Sequence, residues 1–323
     1  MKGISPQCIA FDHSNPNRAY YGTFGNGLWK TDDGGQTWDS IGKNNSISHT
    51  DVMSVSVSHL ERGNQGFNTV YVGTEPSAIY RSDDGGESWE RMSALNNLKS
   101  SASWSFPPKP WTHHVRWIES DANNPGYVFA VIEAGALVQS HDGGRTWIDK
   151  VEEGPYDTHT LATHQKMPKC LYSSAGDGYF ESFDYGESWR RPTAGLERNH
   201  YLAGLAVDSG DPHSIIISSS QSARQAHSLE GAESFVYRRS DEDDDDNSEQ
   251  WKVVKGLPEP SGTIISTLAS NPKIAGEFYA INNRGIFCST DSAISWKRLD
   301  DIQWPTEYLS QHPKALAVRE DKA

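Results

Sequence analysis

The chain has 323 residues and a formal charge of −14, six of those negative charges coming from the acidic run at 241–246. That balance argues against a general nucleic-acid binder, which needs a basic footprint. No apolar stretch approaches the ~18 residues of a membrane-spanning helix, so no membrane partner is expected. With 11 Trp and 13 Tyr, the composition is not that of a disordered chain.

The three cysteines, Cys8, Cys170 and Cys288, sit in strand-like apolar runs and are expected to be buried thiols rather than a disulfide framework. Residues 1–6 carry no apolar signal region, so a cytoplasmic location is expected.

In chain order, the first predicted element is an innermost strand at 7–11. A phrase then recurs: Thr31-Asp-Asp-Gly-Gly-Gln-Thr-Trp38, Ser82-Asp-Asp-Gly-Gly-Glu-Ser-Trp89, Ser140-His-Asp-Gly-Gly-Arg-Thr-Trp147 and Ser182-Phe-Asp-Tyr-Gly-Glu-Ser-Trp189. A worn copy, Ser289-Thr-Asp-Ser-Ala-Ile-Ser-Trp296, has Ala293 where glycine is expected. Another site is opened by insertion, with an acidic loop at 241–250 before Trp251. Successive Trp residues are 51, 58, 42, 62 and 45 positions apart, close to the ~40–50-residue period of four-stranded propeller blades.

The phrase has a local mechanism. The Asp accepts hydrogen bonds from nearby backbone N–H groups, Gly permits positive φ, and Trp packs between sheets. It therefore predicts a turn between two strands. For the third repeat the strands are expected at about 114–119, 127–132 and 136–140, with a fourth beginning at Thr146. The expected fold is all-β: one propeller over 1–323, with six four-stranded blades and seven as the alternative. A loop is inserted at 218–233, and a closing tail at 303–323 offers 315–318 as one more strand.

The phrase resembles the Asp-box, or BNR, repeat of sialidases, sortilin-type receptors and photosystem II assembly factors, over about residues 5–300. Longer phrases such as Trp111-Thr-His-His-Val-Arg-Trp117 are similar to bacterial BNR-repeat proteins labelled glycosyl hydrolase. The resemblance implies a β-propeller; because the motif is structural, it implies little about activity. Sialidases use three Arg on a sugar carboxylate, one in an N-terminal Arg-Ile-Pro type motif. The corresponding stretch here, residues 3–8, has no Arg, which argues against sialidase activity.

In such a blade the Asp-box turns lie on one face, with the links between blades and the loops between second and third strands on the other. The second face is expected to carry His49, His113, His114, His159, His200 and His227. Neutral imidazole is a common transition-metal ligand, so His113, His159, His200, His49 and His114 are candidate ligands for Zn, Mn, Fe or Cu. The remaining histidines considered, His13, His141, His164, His213 and His312, read as surface residues.

Glu75, Glu133 and Asp177 occupy equivalent loops, and paired carboxylates can act as acid, base or nucleophile on a glycosidic bond. Arg116, Arg224, His227 and Trp111 are candidate substrate contacts. A guanidinium fork suits an anionic group, an indole suits a sugar or aromatic ring, and Trp104 and Arg284 are further candidates of these two kinds. The expectation is a hydrolase-like or metal-assisted enzyme acting on a small polar molecule or sugar. The alternative is a non-enzymatic ligand- or protein-binding assembly module.

Overall fold

The computed structural model describes residues 4–42, 46–63, 66–149, 151–239 and 250–319. Strand order follows from the repeated turns. In each, the leading Ser or Thr hydroxyl accepts the N–H four residues on: Gly35 to Thr31 (2.9 Å), Gly86 to Ser82 (2.9 Å), Gly144 to Ser140 (2.8 Å), Gly186 to Ser182 (2.7 Å) and Ala293 to Ser289 (3.0 Å). The Asp then accepts the N–H at the following Ser or Thr, at 2.8–2.9 Å in Asp33, Asp84, Asp142, Asp184 and Asp291. The worn copy keeps the geometry: Ala293 adopts a left-handed φ of 64°. There the indole N–H of Trp296 is buried without an acceptor among the described residues.

Six antiparallel sheets follow one another along the chain. The first comprises β1 (Ser5–Asp12), β2 (Asn15–Phe24), β3 (Leu28–Thr31) and β4 (Asp39–Ile41). The second has β5 (Asp51–Arg62), β6 (Asn68–Glu75), β7 (Ile79–Ser82) and β8 (Glu90–Arg91). The third is β9 (Val115–Ser120), β10 (Val128–Ile132) and β11 (Ala136–Ser140), and the fourth β12 (Thr158–Ala162), β13 (Leu171–Ala175) and β14 (Gly178–Ser182). In these two the outer strand is reduced to single bridges, Gln139 with Ile148 and Glu181 with Arg190.

The fifth sheet is β15 (Tyr201–Val207), β16 (Ile215–Ser220), β17 (Phe235–Arg239) and β18 (Lys252–Val253). The sixth is β19 (Thr267–Ser270), β20 (Phe278–Asn282), β21 (Gly285–Ser289) and β22 (Lys297–Arg298). Six such sheets are the blades of a β-propeller, and the fold is almost entirely β.

The chain divides into two compact units, 1–163 with 319–323, and 164–318. In the first unit the leading strands pack in succession, β1 on β5, β5 on β9 and β9 on β12. Glycine permits this approach. A Cβ on Gly22 would meet Val52 Cγ1 at 2.6 Å, and one on Gly73 would meet Val115 Cγ1 at the same distance. A core of Tyr71, Ile79, Leu95, Trp104, Val115 and Ile132 fills the space between the second and third sheets. In the second unit Ile216, Phe278, Phe287 and Trp296 belong to one core cluster.

Several expectations are corrected. No strand forms at 315–318: the tail carries one 3₁₀ turn, Thr306–Ser310, and then runs without ladder bonds to Arg319. The 218–233 loop is shortened, because β16 continues to Ser220 and a short helix, α1 (Ala223–His227), follows, capped by Ser222. His164 is buried, its Nε2 2.8 Å from the Asp208 carbonyl. The acidic run at 241–246 lies outside the described residues. Among the described residues, no helix is long and apolar enough to cross a membrane.

Candidate functional site

The second-to-third-strand loops and the blade links of the first unit bring together five candidates. Glu75 ends β6, Glu133 follows β10, His114 immediately precedes β9, Arg116 is the second residue of β9, and His159 is the second residue of β12. His114 lies between the two carboxylates and hydrogen-bonds one of them. Its Nε2 lies 2.7 Å from Glu133 Oε2, and its Nδ1 lies 3.5 Å from Glu75 Oε2 without forming a hydrogen bond. Phe106 packs edge-on against the His114 ring at 4.8 Å.

The two oxygens of Glu133 have separate surroundings. Oε2 takes His114 and Arg116 Nε, the latter at 3.4 Å. Oε1 faces His159 Nε2 at 3.7 Å, and that nitrogen is equally far from Asp157 Oδ1. Asp157 is held by the Ala134 N–H, 3.1 Å from Oδ1, in the turn just after Glu133. One ligating atom each from Glu133, Asp157 and His159 lies within 4.8 Å of the other two. Bonds of about 2.1 Å would keep ligand atoms no more than about 4.2 Å from one another, so the spacing here is somewhat wider than that of a metal site.

Burial alone would raise the Glu133 carboxyl, but the His114 hydrogen bond and the charges of His159 and Arg116 outweigh it, lowering it to about 2. The carboxylate is therefore ionised, as a ligand must be, and unsuited to donating a proton near neutrality. Glu75 is covered by Lys109, whose Nζ is 3.3 Å from Oε1. His113 stands apart, edge-on to Trp104 at 5.6 Å. Burial and then the neighbouring His114 charge lower its pKa.

The link before β9 presents two tryptophans in opposite ways. Trp104 is a core residue at 5% exposure and so is not a stacking surface, whereas Trp111 is 82% exposed. A tight loop, with Phe106 N–H on the Thr112 carbonyl and Lys109 N–H on the Phe106 carbonyl, carries Lys109 to Glu75 and leaves Trp111 outside. His49 is engaged elsewhere, with Nδ1 3.3 Å from Thr74 Oγ1 and 3.4 Å from Tyr80 Oη.

The other candidates belong to the second unit. His200 is exposed just before β15, and Asp177 lies between β13 and β14, where its carbonyl accepts from Arg191. Among the described residues, Arg224 makes only a loose exposed pair with Glu230 at 3.7 Å. His227 hydrogen-bonds Tyr201 Oη at 2.8 Å and, through Nδ1, His312 at 3.2 Å. His312, read from the sequence as a surface residue, is thus also part of a side-chain cluster. Asp157 and Lys109 were not among the sequence candidates. The signal for Asp157 was its place two residues before His159 in the same link; Lys109 carried none.

No protein-family model matches the chain, and no curated protein matches it. Solved structures do match. An ancestral GH74 enzyme is 15% identical with a TM-score of 0.68, over 92% of this chain and 39% of that one. The Niastella koreensis GH74 enzyme is 15% identical with a TM-score of 0.67, over 95% and 47%. YCF48 bound to D1 peptide is 19% identical with a TM-score of 0.61, over 92% and 83%. The chain thus spans less than half of the GH74 enzymes and most of YCF48. At these identities the likeness establishes the β-propeller fold.

Proposed function

We propose that the chain is an Asp-box propeller with a cation-assisted, hydrolase-like site for a small polar or carbohydrate substrate, centred on Glu133, Asp157 and His159. The observation that carries this reading is the division of labour at Glu133. One oxygen is tied back by His114 and Arg116, while the other is turned toward His159 and, beyond it, Asp157. Such backing contacts are what orient a metal ligand. A Zn, Mn, Fe or Cu ion held there would lower the pKa of a bound water and supply a nucleophile near neutral pH. The three side chains would hold the cation, His114 would orient Glu133, and Glu75 with Lys109 would steady His114. Trp111 would offer a ring face to a sugar. The fold likeness to GH74 enzymes is compatible with this reading.

A second reading has its own support: a peptide- or protein-binding assembly module. The chain covers 83% of YCF48 in its D1-peptide complex, and an indole exposed like Trp111 is typical of a contact residue.

Metal analysis of tag-free protein, with Zn²⁺ and Mn²⁺ titration calorimetry, separates the two. Near one equivalent is expected in the parent and in His200→Ala, with loss in Asp157→Asn and His159→Ala. A parent that binds neither ion overturns the cation site and leaves the binding module.

A further inference from the structure

The second unit carries a separate cleft on its last blade, built around a buried asparagine. Asn283 is fully buried in the turn between β20 and β21. Its Oδ1 accepts the Ile264 N–H at 2.9 Å, and its Nδ2 donates to the carbonyls of Gly262 (3.1 Å) and Leu309 (3.0 Å). Its own carbonyl accepts the Trp304 indole N–H at 3.0 Å. One residue thus ties the blade link, the turn and the tail together. These three segments, together with β21 and β22, border an open cleft of about 530 Å³ whose lining includes Arg284, Arg298, Trp304, Ser261, Thr306 and Glu259.

Two guanidinium groups enter this cleft over glycines. Arg284 Nη2 lies 2.5 Å from where a Cβ on Gly262 would stand, and Arg298 Nε lies 3.0 Å from that point on Gly285. Side chains at either position would displace them. The Arg284 guanidinium has no acceptor among the described residues; the hydrogen bond this residue donates is through its backbone N–H, to Asn282 Oδ1. Among the described residues Arg298 has only Asp300, at 3.7 Å, an exposed pair of the kind worth little in water. In a chain of charge −14, two under-used guanidinium groups stand here beside an indole and two hydroxyls, with Glu259 in the lining and Asp300 next to Arg298.

We propose that this cleft binds an anionic saccharide, its carboxylate or phosphate received by Arg284 and Arg298 and its ring laid against Trp304. The guanidinium fork matches either oxyanion, and the apolar lining, which includes Phe287 and Leu309, suits the C–H face of a pyranose. The Asn283 bonds hold the platform in place before binding, so little ordering is required of the protein.

The test is NMR-detected titration of the full chain with glucuronate, glucose 6-phosphate, glucose and inorganic phosphate. One or both anionic sugars should bind, with glucose at least tenfold weaker. Arg284→Ala should lose at least tenfold and Arg284→Lys should recover part of that, with both variants folding normally because Arg284 is exposed. Binding of neither anionic sugar at ~20 mM overturns the proposal. So does glucose binding as tightly as its charged relatives, or an unchanged affinity in Arg284→Ala. Inorganic phosphate binding as tightly as glucose 6-phosphate removes the saccharide from it.

Discussion

His114 Nε2 stands 2.7 Å from Glu133 Oε2, and this contact holds the carboxylate ionised in a largely buried setting. The consequence is a pH dependence of known sign. The Glu133 carboxyl falls from 4.5 to about 2. A lowered acid stabilises the fold above its unfolded pKa, and that stabilisation is lost as pH falls through the window from about 4.5 to 2. The shift corresponds to roughly 3 kcal/mol. Glu133→Gln should lose about that much at pH 7 and show a flatter acid limb. Urea unfolding at pH 7, 5 and 3 reads both, and an acid limb as steep as the parent's would exclude this role for Glu133.

Glu119 should behave in the opposite sense. Burial raises its carboxyl to about 7, although Thr163 donates to Oε1 from both its N–H and its hydroxyl at 3.0 Å. An acid raised on folding binds its proton more tightly in the native state. Stability therefore declines as pH rises from about 4.5 to 7. Glu119→Gln should remove that decline, raising the melting temperature relative to the parent at pH 8 more than at pH 5. An equal shift at both pH values would mean that the carboxyl does not titrate in this range.

The repeated turn gives a prediction independent of function. Asp142 accepts from Thr146 N–H (2.8 Å), Thr146 Oγ1 (2.6 Å) and Ser140 Oγ (2.9 Å). Hydrogen bonds to a charged acceptor contribute about 1.5–3 kcal/mol each before solvent competes. The turn is partly exposed, so Asp142→Ala should cost about 2 kcal/mol in chemical denaturation. A cost under ~0.5 kcal/mol would mean that the glycines and Trp147 set the turn without the carboxylate.

These turns were legible in the sequence because every partner lies within eight residues, and even Ala293 keeps its left-handed φ. The histidine-rich loops were legible as an address on the blade. What the residues do there was not. Lys109 reaches Glu75 across 34 positions, and His164 is buried because the Asp208 carbonyl, 44 residues on, receives it. The segment 315–318 has strand-like residues, but its backbone finds no ladder partner. Local pattern specifies turns and strands; pairing between distant loops depends on how the blades are spaced.

Trp104 and Trp111 share one blade link and should respond to truncation in opposite ways. Trp104 lies in the core with Leu95, Ile132 and Val115, and its indole N–H reaches Ser100 Oγ at 3.1 Å. Trp104→Ala should therefore cost about 3–5 kcal/mol of stability. Trp111 is 82% exposed, so Trp111→Ala should change stability by no more than about 0.5 kcal/mol. Its effect should fall on ligand binding, where one aromatic stacking contact is worth about 0.5–1.5 kcal/mol, up to roughly tenfold in affinity. Affinity electrophoresis against a panel of soluble polysaccharides reads this directly. The parent should be retarded by at least one of them, and Trp111→Ala retarded less while melting at the parental temperature. Equal mobility on every polysaccharide would remove Trp111 from the sugar-binding surface and favour the peptide-binding reading of the same loop.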